Sequence, residues 1–155
     1  DLLKGIAVGA GMNNIDVEGA NGGLHTNYEG KAMAAVKAID EDGYDFVYIH
    51  VEAPDEMGHQ GSLEKKIKAI ENLDARVIKI VKNECEKRNI DVRILILPDH
   101  PTPICIRTHT SDPVPFMIYD STNERNETWN YNEKEAKASG NMLDDGYLLM
   151  NELLK

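Results

Sequence analysis

The residues with the most chemistry in this chain fall in two short stretches. Asp55 and His59 lie four apart in HVEAPDEMGHQG, residues 50–61, so one helical turn would put both on the same face. Asp99 and His100 close the run VRILILPDH, residues 92–100, and His109 follows within the same loop. Carboxylate and imidazole together suit a borderline divalent cation, Mn²⁺ or Zn²⁺, better than Mg²⁺ or Ca²⁺, whose shells are built of oxygen. No thiolate-rich structural site is suggested, so a metal held here would be catalytic. Each pair also has a plainer reading. Asp-x-x-x-His at a helix start is ordinarily solvated surface, and an Asp after a strand commonly caps the next element. The two pairs together with His109 favour the metal. His50 and Glu52, just upstream, are expected to stand behind the ligands and orient them. Lys31 reads as helix surface, with a phosphate contact as the sharper alternative.

Elements must bring these residues together. YEGKAMAAVKAI, residues 28–39, has Ala32, Ala35, Val36 and Ile39 at helical spacing. FVYIHVE, residues 46–52, is apolar on both faces until His50 and Glu52, the pattern of a buried and parallel strand. Residues 62–88 predict one long helix with Leu63, Ile67, Ile70, Leu73, Val77, Val81 and Cys85 on its buried stripe and Ser62 as N-cap. VRILILPDH and PVPFMIYD, residues 113–120, predict two more strands. Residues 121–142 form a polar excursion with at most a short helix, and YLLMNELL closes the chain as a helix. The alternation predicts an α/β domain, a mostly parallel sheet flanked by helices, with the ligands past the carboxyl ends of strands, where such sheets bind.

Composition narrows the partners. The 155 residues carry 17 Lys and Arg against 27 Asp and Glu, a formal charge of −10 without a basic cluster, which argues against nucleic acid and anionic membranes. No apolar run reaches the ~18 residues of a membrane span. Cys85 and Cys105 read as reduced core thiols of a cytoplasmic protein. Asn126-Glu127-Thr128 matches the glycosylation pattern by coincidence on that view. The start, DLLKGIAVGAGM, does not begin with Met and runs straight into an apolar stretch, as if cut from a longer chain.

ANGGLHTNYEGKA, HVEAPDEMGHQG and LPDHPTPICIRTHTSDPVPF, in this order, resemble the archaeal-type cofactor-independent phosphoglycerate mutases of the alkaline phosphatase superfamily. The resemblance runs over nearly the whole chain, residues 1–155, and implies the carboxyl-terminal part of an alkaline-phosphatase-like metal domain. It implies that Asp55, His59 and His109 ligate one divalent ion and Asp99 and His100 a second, manganese or zinc ahead of magnesium or cobalt, with no need of 2,3-bisphosphoglycerate. It further implies a phosphoglycerate substrate and a phosphoserine intermediate whose serine, like one further aspartate, is not in these residues. No catalytic nucleophile is therefore assigned here: Ser62, Ser111, Thr102 and Thr108 are all outside the family's nucleophile context. The fragment alone is expected to be inactive. The alternatives are another phosphatase or phosphonate hydrolase of the superfamily, or a non-catalytic metal-binding module.

Overall fold

A computed structural model describes residues 2–123 and 129–155. The glycosylation-like tripeptide at 126–128 lies outside the described residues, as do residues 124 and 125 of the polar excursion. The elements run α1 (Leu2–Gly9), α2 (Tyr28–Asp40), α3 (Ala53–His59), α4 (Leu63–Leu73), a π-helical turn (Asp74–Ile78), α5 (Lys79–Lys87), β1 (Arg93–Ile96), β2 (Met117–Asp120), α6 (Glu133–Ala138) and α7 (Leu149–Leu153).

The core is a helical layer with extended chain laid on it. Tyr28, Ala32 and Val36 of α2 meet Ala53 and Met57 of α3, Ala69 of α4, and Val77, Val81 and Cys85 beyond it. Ile49, Val51, Val92 and Ile94 pack on this cluster from the extended side. The small residues of α2 let the neighbouring helix approach closely. Asn27 caps α2 by accepting from the Gly30 N–H at 2.9 Å, and buried Tyr28 donates its hydroxyl to the Leu24 carbonyl at 3.1 Å. Outside this contact Arg76 reaches over the Tyr28 ring, 4.9 Å from its centroid, and forks onto Glu29 at 2.6 and 2.8 Å.

Two expectations need correction. Among the described residues the sheet has two strands, β1 and β2, and they pair antiparallel, with Ile94 opposite Tyr119 and Leu95 opposite Ile118. Residues 46–51 form no regular element, with Ile49 and Val51 against the core, and no backbone–backbone hydrogen bond reaches them among the described residues. Apolar spacing reports which faces are covered and not which strand lies alongside, so it could not supply direction or partner.

The second correction concerns the stripe predicted over 62–88. Leu63, Ile67 and Ile70 are 60%, 49% and 49% exposed, while Ala69, Val77, Val81 and Cys85 are buried. The cause is the π turn. At about 100° per residue, Val77 would sit some 80° from Ala69 on an unbroken α-helix, and the extra residue absorbed by the wider turn brings it back onto the same side. The buried face therefore follows Ala69 rather than Ile70. Ser62 does cap α4, accepting from the Lys65 N–H at 3.4 Å.

Both cysteines are free, as expected, but only Cys85 is in the core; Cys105 is exposed in the loop between the strands. Burial pushes the Cys85 thiol up from its ordinary range. In the native state a thiol reagent at neutral pH is expected to modify Cys105 rapidly and Cys85 only after denaturation. Two fast equivalents per chain would contradict this packing.

Candidate metal centre

The centre lies where α3 meets the β1–β2 connection. Pro54 starts α3 at a position that has no need of an N–H donor, and the helix then carries Asp55 and His59 one turn apart. Their side chains meet, His59 Nε2 to Asp55 Oδ2 at 3.3 Å. The long connection after β1 returns over α3 and brings His109 in: its Nε2 is 3.4 Å from Asp55 Oδ1 and 3.2 Å from His59 Nε2. One ligand atom from each of Asp55, His59 and His109 thus falls within 4.8 Å of the others. All three are partly open to solvent.

Asp99 and His100 come to the rim of the same group. His100 Nδ1 is 4.0 Å from Asp55 Oδ1, its Nε2 is 3.5 Å from Asp99 Oδ2, and its ring lies 3.6 Å from that of His109, centroid to centroid. All five residues singled out in the sequence are therefore neighbours across two segments of chain. His50 and Glu52 lie Nδ1 to Oε1 3.8 Å from each other, with His50 stacked along Tyr48, and no hydrogen bond or ion pair among the described residues joins either to the five. Burial pushes the His50 imidazole toward its neutral form, opposed by Glu52.

Lys31 is not plain helix surface. Its ammonium donates to the His50 carbonyl at 2.7 Å, and burial pulls its pKa below the ordinary lysine value, with Glu52 opposing. It ties α2 to the chain at His50, just before α3 and Asp55.

Three residues with no sequence signal for this role shape the group. The His59 Nδ1 lies 2.9 Å from the Arg107 carbonyl, which can only accept. Nδ1 therefore carries a proton, and in a neutral ring the Nε2 lone pair faces Asp55 and His109. That is the tautomer that would bind a metal through Nε2. Arg107 makes this contact from a left-handed backbone, φ 60°, while its guanidinium lies over Gly61, where a Cβ would be 2.4 Å from Nε. Thr102 and Lys66 are the other two. Buried Thr102 donates its hydroxyl to Asp55 Oδ1, and its carbonyl accepts from Lys66 Nζ at 2.6 Å. Nothing in the sequence marks Arg107 as left-handed, since arginine is not a residue favoured there.

Converging carboxylate and imidazole donors, one imidazole held in the right tautomer, fit a divalent cation on this structure's own geometry. The family comparison agrees. Residues 1–149 match the family described as the Metalloenzyme superfamily. The chain belongs to that superfamily. Among curated relatives, a probable 2,3-bisphosphoglycerate-independent phosphoglycerate mutase of Geobacter sulfurreducens is 48% identical over 155 residues, which cover 99% of this chain and 38% of that protein. A 2,3-bisphosphoglycerate-independent phosphoglycerate mutase of Methanosarcina acetivorans is 50% identical over 142 residues, 92% of this chain and 35% of that one. A solved structure of a Pyrococcus horikoshii protein superposes with a TM-score of 0.75 at 32% identity, covering 88% of this chain and 40% of that one. The chain thus spans a little over a third of the length of the curated relatives it matches. In this superfamily it forms a partial, alkaline-phosphatase-like domain, the class expected from the sequence, with the small antiparallel sheet described above in place of the parallel one.

Gly58 makes the meeting of the two segments possible. A Cβ there would lie 2.5 Å from the Thr102 carbonyl oxygen and 3.0 Å from Lys66 Nζ, so α3 and the loop touch through a missing side chain. The backbone oxygen cannot move aside as a flexible side chain could. Gly58→Ala is expected to cost about 1–3 kcal/mol in urea unfolding, the range for overpacking, and Gly146→Ala, where nothing lies within 4 Å, far less. Equal midpoints for the two variants would remove this close approach as a constraint.

Proposed function

We propose that this chain is the metal-holding part of a 2,3-bisphosphoglycerate-independent phosphoglycerate mutase that interconverts 2- and 3-phosphoglycerate in the cytoplasm. The observation that carries the reading is the convergence of Asp55, His59 and His109, with Asp99 and His100 at its rim, in a chain whose relatives bear that name. Asp55, His59 and His109 would hold one ion, and Asp99 and His100 would take the second, manganese or zinc in preference to magnesium or cobalt. When bound, such a pair of cations neutralises phosphoryl oxygens and favours ionisation of an attacking hydroxyl. This chain's residues supply the ligands and their orientation: Arg107 fixes the His59 tautomer. The nucleophilic serine and a further aspartate would come from the remainder of a protein as long as the relatives. So would the cover that keeps water from the phosphoserine, without which transfer becomes hydrolysis.

No helix among the described residues is long and apolar enough to cross a membrane. The net charge of −10 is compatible with an anionic substrate only where cations intervene, in keeping with a centre built on metal.

The polypeptide at the length of its relatives, loaded with Mn²⁺, is expected to convert 3-phosphoglycerate to 2-phosphoglycerate, followed by phosphorus NMR, whereas the 155-residue chain is expected to show no turnover. Release of inorganic phosphate in place of isomerisation would replace the mutase with a hydrolase. Calorimetric titration of the 155-residue chain with Mn²⁺ should give binding that the Asp55→Ala, His109→Ala double variant loses. Equal binding by both would move the ion elsewhere.

A further inference from the structure

The β1–β2 connection contributes its ligands in a short span, Asp99, His100 and His109, and between them Thr102 does something none of the five ligands does. Its hydroxyl lies against both ligand pairs. The single hydroxyl proton goes to Asp55 Oδ1, and the same oxygen is 3.3 Å from His100 Nδ1. With its proton committed to the carboxylate, Thr102 Oγ1 has only lone pairs to offer His100, so Nδ1 must be the protonated nitrogen of that ring. In the neutral ring His100 Nε2 then carries the lone pair, on the side of Asp99, 3.5 Å from its Oδ2.

Thr102 is held where it can do this. It is 4% exposed, its carbonyl and methyl lie over the bare Cα of Gly58, and its carbonyl takes the Lys66 ammonium from α4. Lys66 is itself half-buried, and burial pulls its pKa down, with Asp55 opposing. A lysine desolvated to reach a backbone carbonyl loses hydration that a solvated lysine keeps, so the contact is one the fold maintains against a cost.

We propose that Thr102 is a positioning residue common to both ligand pairs, orienting the Asp55 carboxylate and setting the His100 tautomer through one hydroxyl, and that Lys66 holds it there from α4. This rests on the metal centre proposed above. Simple electrostatics and positioning make opposite forecasts for Lys66. Removing a positive charge near a cation site should tighten Mn²⁺ binding by Coulomb's law. Releasing the Thr102 peptide should weaken it.

The test uses the 155-residue chain, Mn²⁺ alone as probe, and calorimetry beside long-range proton–nitrogen NMR of the histidine rings without metal. Thr102→Val is expected to weaken Mn²⁺ binding about 10–100-fold, as removal of a partner behind a metal ligand typically does. It should also take His100 from the Nδ1–H form to a mixture. Thr102→Ser, which keeps the hydroxyl, should restore both. Lys66→Met should weaken binding too, and the Lys66→Met, Thr102→Val pair should be no weaker than Thr102→Val alone, since both act through one contact. Should Thr102→Val lose its native circular dichroism, Lys66→Met decides: tighter or unchanged binding overturns the proposal. Wild-type affinity and an unchanged His100 tautomer in a folded Thr102→Val also overturn it while leaving the metal centre in place. Absence of Mn²⁺ binding by the unmodified chain overturns the metal centre and this role with it.

Discussion

Everything around the centre depends on how closely a loop can lie on a helix. The Thr102 peptide rests on α3 at Gly58, three residues after Asp55 and immediately before His59, and no other residue leaves that space. From this one approach follow the hydroxyl on Asp55, the Lys66 contact from α4, the reach of His100, and the return of the chain that brings the Arg107 carbonyl and His109 over His59. A backbone-to-backbone contact is less adjustable than one made by side-chain tips. It gives the candidate ligands a fixed spacing even though they are partly solvated.

Much of this was legible in the sequence because it was local. The four-residue spacing of Asp55 and His59 is a statement about helix geometry, Ser62 carries the chemistry of a cap, and the order of the motifs identified the family. What failed was long-range or depended on a backbone irregularity. The π turn rotates the face of the long helix by an amount no heptad count includes, which exposes Leu63, Ile67 and Ile70 and buries Ala69. Strand direction is a property of neighbours, and the apolar run 46–52 contains no information about them. Cys105, beside a strand pattern, reads as core until the loop carries it to the surface.

The supporting residues were illegible for a different reason. Thr102, Lys66 and Arg107 act through a hydroxyl, an ammonium and a carbonyl that many surface residues also own. Lys66 belongs to a run of charges on α4, and Arg107 acts through its main chain, to which its side chain is nearly irrelevant. Asp99 and His100 were visible as a pair, yet the hydroxyl that sets the His100 ring is two residues further on and points back to another element.

The distance along the chain between the groups that meet has a kinetic meaning. Thr102 and Asp55 are 47 residues apart in sequence, and His59 and His109 are 50 apart. Their encounter requires closing loops of that length, with the entropy loss that implies, and the helices between them must already be packed. The folding nucleus is therefore expected among the local contacts of the helical layer, with the ligands assembling after it. A metal ion would then slow unfolding of the finished structure more than it would speed its formation, because the cage it recognises comes together late.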